Sequence, residues 1–201
     1  MITAAIGDFV LELETATPLF SPDCVDKGTL AMLSVAEFST GDKILDLGCG
    51  YGVVGIYAAK LVGEANVVMC DINKKAVETA AKNAVKNGVG GIRVICSDGF
   101  VGLDESEFTA ILSNPPYHAD FKVPKHFIEK GFNRLVVGGK MYMVTKRLDW
   151  YKNKLAAIFG GVKVCEINGY YVFCAEKRKS AYANVKKAGK KHGGNKLGKQ
   201  L

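Results

Sequence analysis

The sequence predicts an α/β protein whose doubly wound, mostly parallel sheet ends in an antiparallel hairpin. From residue 43 onward, apolar strand-like runs alternate with helical patterns, which is typical of such a sheet. A glycine-rich turn follows the first of these strands, and Asn168-Gly169 separates the last two, which is a hairpin signal. With 201 residues and 48% apolar residues, the chain has room for one domain with a normal core.

The elements follow one another in a simple order. A strand is predicted at 9–13, and a helix from Ser21 to about Phe38, because Ser-Pro is a good helix start. The later strands are predicted at 43–47, 66–70, 92–96, 108–113, 140–145, 162–167 and 170–175. The later helices are predicted at 53–61, 73–87, 124–137 and 149–159. Asn73 should cap the second of these helices, Gly88 should stop it, and Gly138-Gly139 should end the third.

Charge and composition divide the chain into three parts: a strand and helix extension at 1–40, a central domain at 41–176, and a basic tail at 177–201. The tail holds nine Lys or Arg and no acid, whereas the rest of the chain holds 18 basic and 20 acidic residues. With few apolar residues, such a tail is expected to be disordered and to bind a polyanion, naturally a nucleic acid. The alternative is a solvated tail that only aids solubility.

Several classes of protein are disfavoured by composition. The six cysteines lie far apart without a Cys-x-x-Cys pair, which predicts reduced thiols and neither a zinc site nor disulfides. The longest uncharged run, thirteen residues between Asp46 and Lys60, is too short to span a bilayer. The N-terminus lacks the basic region of a secretion signal. We therefore expect a cytoplasmic protein with no metal and no membrane partner. The sequence leaves the oligomeric state open, and a monomer is favoured.

The run Asn114-Pro115-Pro116-Tyr117 follows a predicted buried strand, where a parallel sheet places its active site. Two prolines fix φ and supply no N–H donor, so the loop offers acceptors: the amide oxygen of Asn114 and the carbonyl of Pro115. Tyr117 adds an aromatic face. Such a loop suits a planar group that carries an NH₂, although a proline-rich turn after a strand is the plainer interpretation of the run taken alone.

The turn after the first central strand predicts a cofactor site. Gly48-x-Gly50-x-Gly52 is one residue short of a dinucleotide fingerprint, and Cys49 lies within it. Asp46 precedes the glycines, and its carboxylate would repel a pyrophosphate but attract an ammonium group. These features favour S-adenosylmethionine over NAD.

Two further carboxylates are predicted at the ends of the next strands. Asp71 is placed to accept both hydroxyls of a ribose, and Ser97-Asp98-Gly99 can offer a carboxylate to the amino group of adenine. Each acid alone could be a helix cap or a surface charge. Three at successive strand ends are much less expected by accident.

These motifs together resemble class I S-adenosylmethionine-dependent methyltransferases. The resemblance rests on Asp46–Gly52, Asp71-Ile72-Asn73, Ser97-Asp98 and Ser113–His118 in this order. The segments 19–28 and 169–173 also resemble the small methyltransferase domain group of ribosomal RNA guanine-N2 methyltransferases. The resemblance covers about residues 9 to 178. It implies a seven-stranded Rossmann-like methyltransferase domain at 41–176, with S-adenosyl-L-methionine as cofactor.

The resemblance also implies roles for individual residues and a substrate. The cofactor would be bound by Asp46, Gly48, Cys49, Gly50, Gly52, Asp71, Ile72, Ser97, Asp98, Gly99 and Asn114. The catalytic residues would be Asn114, Pro115 and Tyr117, and the substrate would contact Pro116, Tyr117 and His118. The implied reaction is methylation of the exocyclic N2 of a guanine in ribosomal RNA.

Several alternatives stay open from the sequence. They are methylation of adenine N6, of a protein glutamine or of a small amine, an inactive RNA-binding module of the same fold, and, more distantly, an NAD dehydrogenase. Members of the group that act on the small ribosomal subunit often carry a second, degenerate domain ahead of the catalytic one, which this sequence does not show.

Overall fold

A computed structural model describes residues 1–15, 21, 23–116 and 120–182. The strands are β1 (Ile2–Ile6), β2 (Phe9–Leu13), β3 (Ile44–Leu47), β4 (Val67–Asp71), β5 (Arg93–Cys96), β6 (Phe108–Ser113), β7 (Leu135–Thr145), β8 (Lys163–Ile167) and β9 (Tyr170–Glu176). The helices are α1 (Lys27–Val35), α2 (Val53–Val62), α3 (Lys74–Lys86), α4 (Lys122–Arg134) and α5 (Asp149–Phe159).

Seven of the strands form one sheet in the order β5-β4-β3-β6-β7-β9-β8. The first five in that order are parallel, whereas β9 runs antiparallel to both β7 and β8. The strand order reverses between β3 and β6, which opens a crevice beyond their carboxyl ends. The predicted fold class is therefore confirmed, and the crevice is where a ligand is expected.

Alternating apolar side chains along the central strands build a core on each face of the sheet. In β3, Ile44 belongs to the core under α1, α2 and α3, while Leu45 belongs to the core under α4 and α5. Both side chains are fully buried. This strict alternation fixes the register of the strand, because a one-residue slip would exchange the two cores.

The N-terminal hairpin of β1 and β2 is fastened to α3 by two buried amides. Asn87 accepts from the Glu12 N–H and donates to its carbonyl, at 3.1 and 2.8 Å. Asn83 does the same for Glu14, at 2.7 and 2.9 Å, and also donates to the Tyr51 carbonyl at 2.9 Å. The extension is thereby tied to the turn after β3, which lies at the crevice. Strand β2 was predicted, whereas its partner β1 was not.

Several predicted local signals are confirmed by backbone geometry. Asn73 caps α3 by accepting from the Lys75 N–H at 2.9 Å. Asn168 and Gly169 both have positive φ, 51° and 77°, as a two-residue hairpin turn of the type I′ class requires. No helix in the described parts of the chain is long and apolar enough to cross a membrane.

Two predicted helices had wrong boundaries. The helix predicted to reach residue 137 ends at Arg134, because Leu135 begins β7 by pairing with Phe108. Gly138-Gly139 does not end a helix but lies where the register of β7 against β6 shifts. The first helix begins at Lys27, not near Ser21, because Asp26 caps it, and it ends at Val35. Pro22 lies outside the described residues.

The first residues of the predicted tail pack against the domain. Lys177 is buried, and its Nζ donates to the Leu135 carbonyl at 2.6 Å. The Tyr182 ring packs edge-on against Phe132, with ring centroids 4.9 Å apart. The rest of the predicted tail, residues 183–201, lies outside the described residues.

Candidate active site

A cavity of about 330 Å³ lies beyond the carboxyl ends of β3, β4 and β6. It brings together twelve of the residues predicted from the sequence: Asp46, Gly48, Cys49, Gly50, Asp71, Ile72, Ser97, Asp98, Gly99, Asn114, Pro115 and Pro116. Gly52 does not line the cavity; it caps the start of α2, where an added Cβ would lie 3.2 Å from the Ala80 Cβ. Tyr117 and His118 lie outside the described residues.

Asp46 is a buried carboxylate at the floor of this cavity. Its side chain is 2% exposed, and its Oδ2 accepts a hydrogen bond from the Gly55 N–H at 2.9 Å. Burial raises the pKa of Asp46 to about 7, and the nearby charge of Asp71 adds to the rise. Among the described residues, no Lys, Arg or His lies within 4 Å of it to compensate its charge. A cationic ligand could supply that compensation.

Asp71 holds the glycine turn against the start of α3. Its Oδ2 accepts from the Gly50 N–H and its Oδ1 accepts from the Asn73 N–H, both at 2.9 Å. Gly50 has a φ of +55°, which places its N–H toward the carboxylate. Each carboxylate oxygen keeps a second lone pair for a hydroxyl. Beside it, Ile72 is 67% exposed and lines the cavity, an apolar surface for a flat ring.

The turn after β5 supplies the third predicted acid. Asp98 is exposed at the cavity wall, free of the strand ladder. Ser97 is buried, and its hydroxyl donates to the Val101 carbonyl at 2.6 Å. The Ser97 hydroxyl is therefore used within the turn. The Asp98 carboxylate is exposed and can contact a ligand.

Asn114 lines the cavity, and hydrogen bonds hold its side-chain amide in one orientation. Its Nδ2 donates to Asp26 Oδ2 at 2.8 Å and to Thr29 Oγ1 at 2.9 Å. Its Oδ1 is buried and has no hydrogen-bond partner among the described residues. The flipped amide would set Oδ1 against the Asp26 carboxylate, so the repulsion between the two oxygens excludes it. The oxygen is therefore an oriented acceptor, and a buried acceptor without a donor is costly unless a ligand supplies one.

Sequence reasoning missed the residues that orient Asn114. Asp26 and Thr29 line the cavity from the first turn of α1, where Asp26 also accepts from the Thr29 N–H at 2.9 Å. The capping spacing of Asp26 and Thr29 was the available signal, since it marks a helix start near the crevice. Gly28 lies between them because a Cβ there would be 2.7 Å from the Tyr170 ring. This contact joins the two flanking segments, 19–28 and 169–173.

Nothing in the described parts of the chain suggests metal or thiol chemistry at this site. No group of three or more His, Cys, Asp or Glu there is arranged to hold a metal ion. Cys49 and Cys70 are free and buried, and burial raises the pKa of Cys70 to about 12. These thiols therefore stay protonated and pack as small apolar groups.

Comparison with known proteins identifies the class to which this arrangement belongs. Residues 10–174 match the methyltransferase small domain family. The chain belongs to this family. The match confirms the predicted methyltransferase class, which uses S-adenosyl-L-methionine as the methyl donor.

Relatives of this methyltransferase include both short and long chains. It is 33% identical to the uncharacterized protein YbxB of Bacillus subtilis, over 79% of this chain and 82% of that one. It is 32% identical to ribosomal RNA small subunit methyltransferase C of Serratia proteamaculans, over 80% of this chain and 47% of that one. The 16S rRNA N2 G1207 methyltransferase of T. thermophilus, solved with AdoMet and guanosine, superposes with a TM-score of 0.80 at 27% identity. That superposition covers 88% of this chain and 50% of the solved one. The chain thus spans about half the length of these two rRNA methyltransferases.

The cavity of this methyltransferase fits the methyl donor by the chemistry of its walls. The uncompensated carboxylate of Asp46 suits the ammonium of the amino-acid part, and the paired oxygens of Asp71 suit the ribose hydroxyls. Ile72 and Asp98 line the same cavity, and we propose that they contact the adenine ring and its amino group. These assignments are the predicted ones, and the structure adds the hydrogen bonds that hold Asp46 and Asp71 in place.

The raised pKa of Asp46 predicts a pH-dependent affinity for the methyl donor. Only the ionised carboxylate attracts an ammonium, so affinity should rise as pH increases through about 7. In the ligand-free protein, the pH dependence of folding has the opposite sign. The pKa of Asp46 is higher in the folded protein than its unfolded value near 3.8. The contribution of Asp46 to the free energy of unfolding therefore falls as pH rises from about 3.8 to about 7. At about 1.4 kcal/mol for each pKa unit, the loss is at most roughly 4 kcal/mol.

Calorimetric titration with S-adenosylmethionine and chemical denaturation, each across this pH range, measure the two effects. Asp46→Asn should weaken binding and remove both pH dependences. Asp98→Asn, which removes an exposed carboxylate from the same cavity, should leave both in place. An affinity that is flat across pH 7 in the unsubstituted protein would contradict the role of Asp46.

Proposed function

We propose that this protein methylates the exocyclic N2 amino group of a guanine in ribosomal RNA. The proposal rests on the amide oxygen of Asn114, which is oriented by Asp26 and Thr29 and has no hydrogen-bond partner among the described residues. Asn114 itself lines the cofactor cavity. An acceptor fixed in this way selects an N–H donor as the reacting group. An amino group has two N–H bonds, one for Asn114 Oδ1 and one for the Pro115 carbonyl. A substrate that is methylated on a hydroxyl or a carbon would not provide both donors.

The loop chemistry explains how a poor nucleophile can react. The lone pair of a purine amino group is delocalised into the ring. When Asn114 Oδ1 and the Pro115 carbonyl accept its two N–H bonds, the nitrogen is drawn toward a tetrahedral shape and its lone pair is aimed into the cavity. These hydrogen bonds strengthen as positive charge grows on nitrogen, so they stabilise the transition state more than the ground state.

S-Adenosylmethionine supplies an electrophilic methyl carbon when it is bound. The work left to the protein is to align the acceptor nitrogen with that carbon and to exclude water. Pro115 and Pro116 both line the cavity, the first buried and the second exposed. Because proline fixes φ, the backbone is stiff at these two residues. Tyr117 would stack on a base taken out of its helix, and His118 would line the pocket.

Guanine in ribosomal RNA is favoured over other amino groups by the relatives. Several of them are named as rRNA methyltransferases of the small or large subunit. The solved relative from T. thermophilus is an N2 guanine methyltransferase with guanosine bound. The basic segment 177–201 agrees with an RNA partner.

Methyl-labelled cofactor tests the reaction directly. The enzyme is offered RNA, ribosomal particles and protein extract from cells that lack it, and the labelled fraction is digested and separated. Label is expected in N2-methylguanosine from ribosomal RNA. RNA from cells that contain the enzyme is the matched control and should take up much less, because its sites are already methylated. Label in N6-methyladenosine or in a protein glutamine would contradict the proposal.

A further inference from the structure

A basic and aromatic surface lies next to the Asn114 loop and takes no part in the cofactor cavity. We call it the Arg147 surface, and it consists of Phe121, Lys146, Arg147 and Trp150. The rings of Phe121 and Trp150 stack with centroids 4.4 Å apart and an interplanar angle of 21°. The Arg147 guanidinium lies over the Phe121 ring at 4.9 Å from its centroid.

The sheet places this surface beside the acceptor. Strands β6 and β7 are parallel neighbours in which Ser113 lies opposite Met143. Asn114 directly follows the first strand, and Lys146 and Arg147 directly follow the second, so both leave the sheet at the same edge. The Lys146 Nζ lies 5.0 Å from the centroid of the Tyr170 ring, which packs against Gly28 below Asn114.

The other side of the surface borders the cavity itself. Phe121 immediately precedes α4, and Val123 in the first turn of that helix lines the cavity. A polymer that delivers a base to Asn114 would therefore pass over the Arg147 surface as it leaves the site.

The two cations are free to bind an anion. Lys146 and Arg147 are exposed, and no carboxylate among the described residues lies within 4 Å of either. Lys140, within strand β7 that precedes them, is by contrast paired with Glu37. An unpaired Arg and Lys side by side are typical of phosphate contacts.

The aromatic pair also has a structural role, because Phe121 and Trp150 are partly buried against the core under α4 and α5. That role does not require a cation. The ring of Phe121 holds one face of the Arg147 guanidinium in place, and the edge of the guanidinium keeps N–H donors for a ligand. Because the side chain is already ordered, the entropy cost of binding is lower.

We propose that the Arg147 surface binds phosphates of the RNA strand next to the target nucleotide. The inference rests on the proposed function and specifies which part of the chain, besides the active-site loop, positions the RNA. Phosphate contacts fix register and orientation without reading sequence. Their loss should therefore weaken RNA binding while the chemical step, once the base is seated, is preserved.

The double variant Lys146→Gln/Arg147→Gln tests this in the full chain. Binding to a short fluorescein-labelled single-stranded RNA is measured by anisotropy over a series of salt concentrations, and methyl transfer to unmodified ribosomal RNA is measured in parallel. At low salt we expect the Kd for RNA and the KM to rise about 10-fold or more. The log–log salt slope should fall by about 1.4, about 0.7 for each lost contact. The kcat and the Kd for S-adenosylmethionine should change less than about twofold.

The control variant Lys82→Gln/Lys130→Gln removes two exposed lysines from α3 and α4 and so changes net charge equally. It should leave the RNA affinity and the salt slope close to those of the unsubstituted protein. If both double variants weaken RNA binding equally, or neither does while the unsubstituted enzyme methylates RNA, the Arg147 surface is not a phosphate site. If the unsubstituted enzyme methylates protein and binds no RNA, the proposed function fails as well.

Discussion

Asn114→Ala should lower the turnover number by about 10²-fold to 10³-fold and leave the affinity for S-adenosylmethionine within a few-fold of the original. The substitution deletes the buried Oδ1, and in the proposed mechanism the hydrogen bond to this oxygen strengthens as charge develops on the reacting nitrogen. Loss of one such transition-state hydrogen bond costs rates on this order. Single-turnover kinetics with methyl-labelled cofactor and unmodified ribosomal RNA measure the rate. Calorimetric titration with the cofactor measures its affinity.

Asn133→Ala is the matched control, because Asn133 is exposed near the far end of α4 and its amide donates only to Tyr182 Oη among the described residues. It should be as active as the unsubstituted enzyme. An Asn114→Ala enzyme with unchanged turnover would show that the amide oxygen does not act in the reaction, whatever the substrate.

Asp26→Ser should reduce turnover by about 10-fold or more without unfolding the protein. Serine is a good N-cap and can still accept from the Thr29 N–H, so α1 should keep its start. It is too short and uncharged to hold the Asn114 amide, which would then rotate and turn Oδ1 away from the acceptor position. The effect should fall on kcat, with the KM for RNA and the Kd for the cofactor nearly unchanged.

Thr29 allows the same idea to be tested by a pair of near-isosteric changes. Thr29→Ser keeps the hydroxyl that accepts from Asn114 Nδ2 at 2.9 Å and should retain most activity, whereas Thr29→Val should not. Thermal denaturation of each variant identifies any loss of stability. Equal turnover for Thr29→Ser and Thr29→Val, with Asp26→Ser fully active, would mean that Asn114 is held by other means.

The sequence predicted those features that local patterns determine. Apolar runs and turn chemistry predicted the succession of strands and helices, the mostly parallel sheet and the final hairpin. The acids Asp46 and Asp71 were identified because each ends or lies within a strand that leads into the crevice. Asn114 was identified because of the two prolines that follow it. Each of these signals lies within a few residues of the feature it predicts.

Contacts between distant parts of the chain could not be predicted in this way. Asp26 and Asn114 are separated by 88 residues, so no periodicity or spacing relates them. The helix boundary at Arg134 was missed for a similar reason: residues 135–137 are apolar and can continue a helical face, and only pairing of Leu135 with Phe108 makes them a strand. The buried amides of Asn83 and Asn87 likewise acquire their meaning only when β2 lies against α3.

The packing of the Tyr170 ring on Gly28 has a consequence for the newly made chain. The ring belongs to the last hairpin, near the end of the chain, whereas Asp26 lies near its beginning and Asn114 near its middle. A growing polypeptide would already contain every residue that lines the cavity, the last of them Phe127, before the Tyr170 ring has left the ribosome. The chain should therefore become active only late in its synthesis, and chains truncated before residue 170 should show no methyltransferase activity.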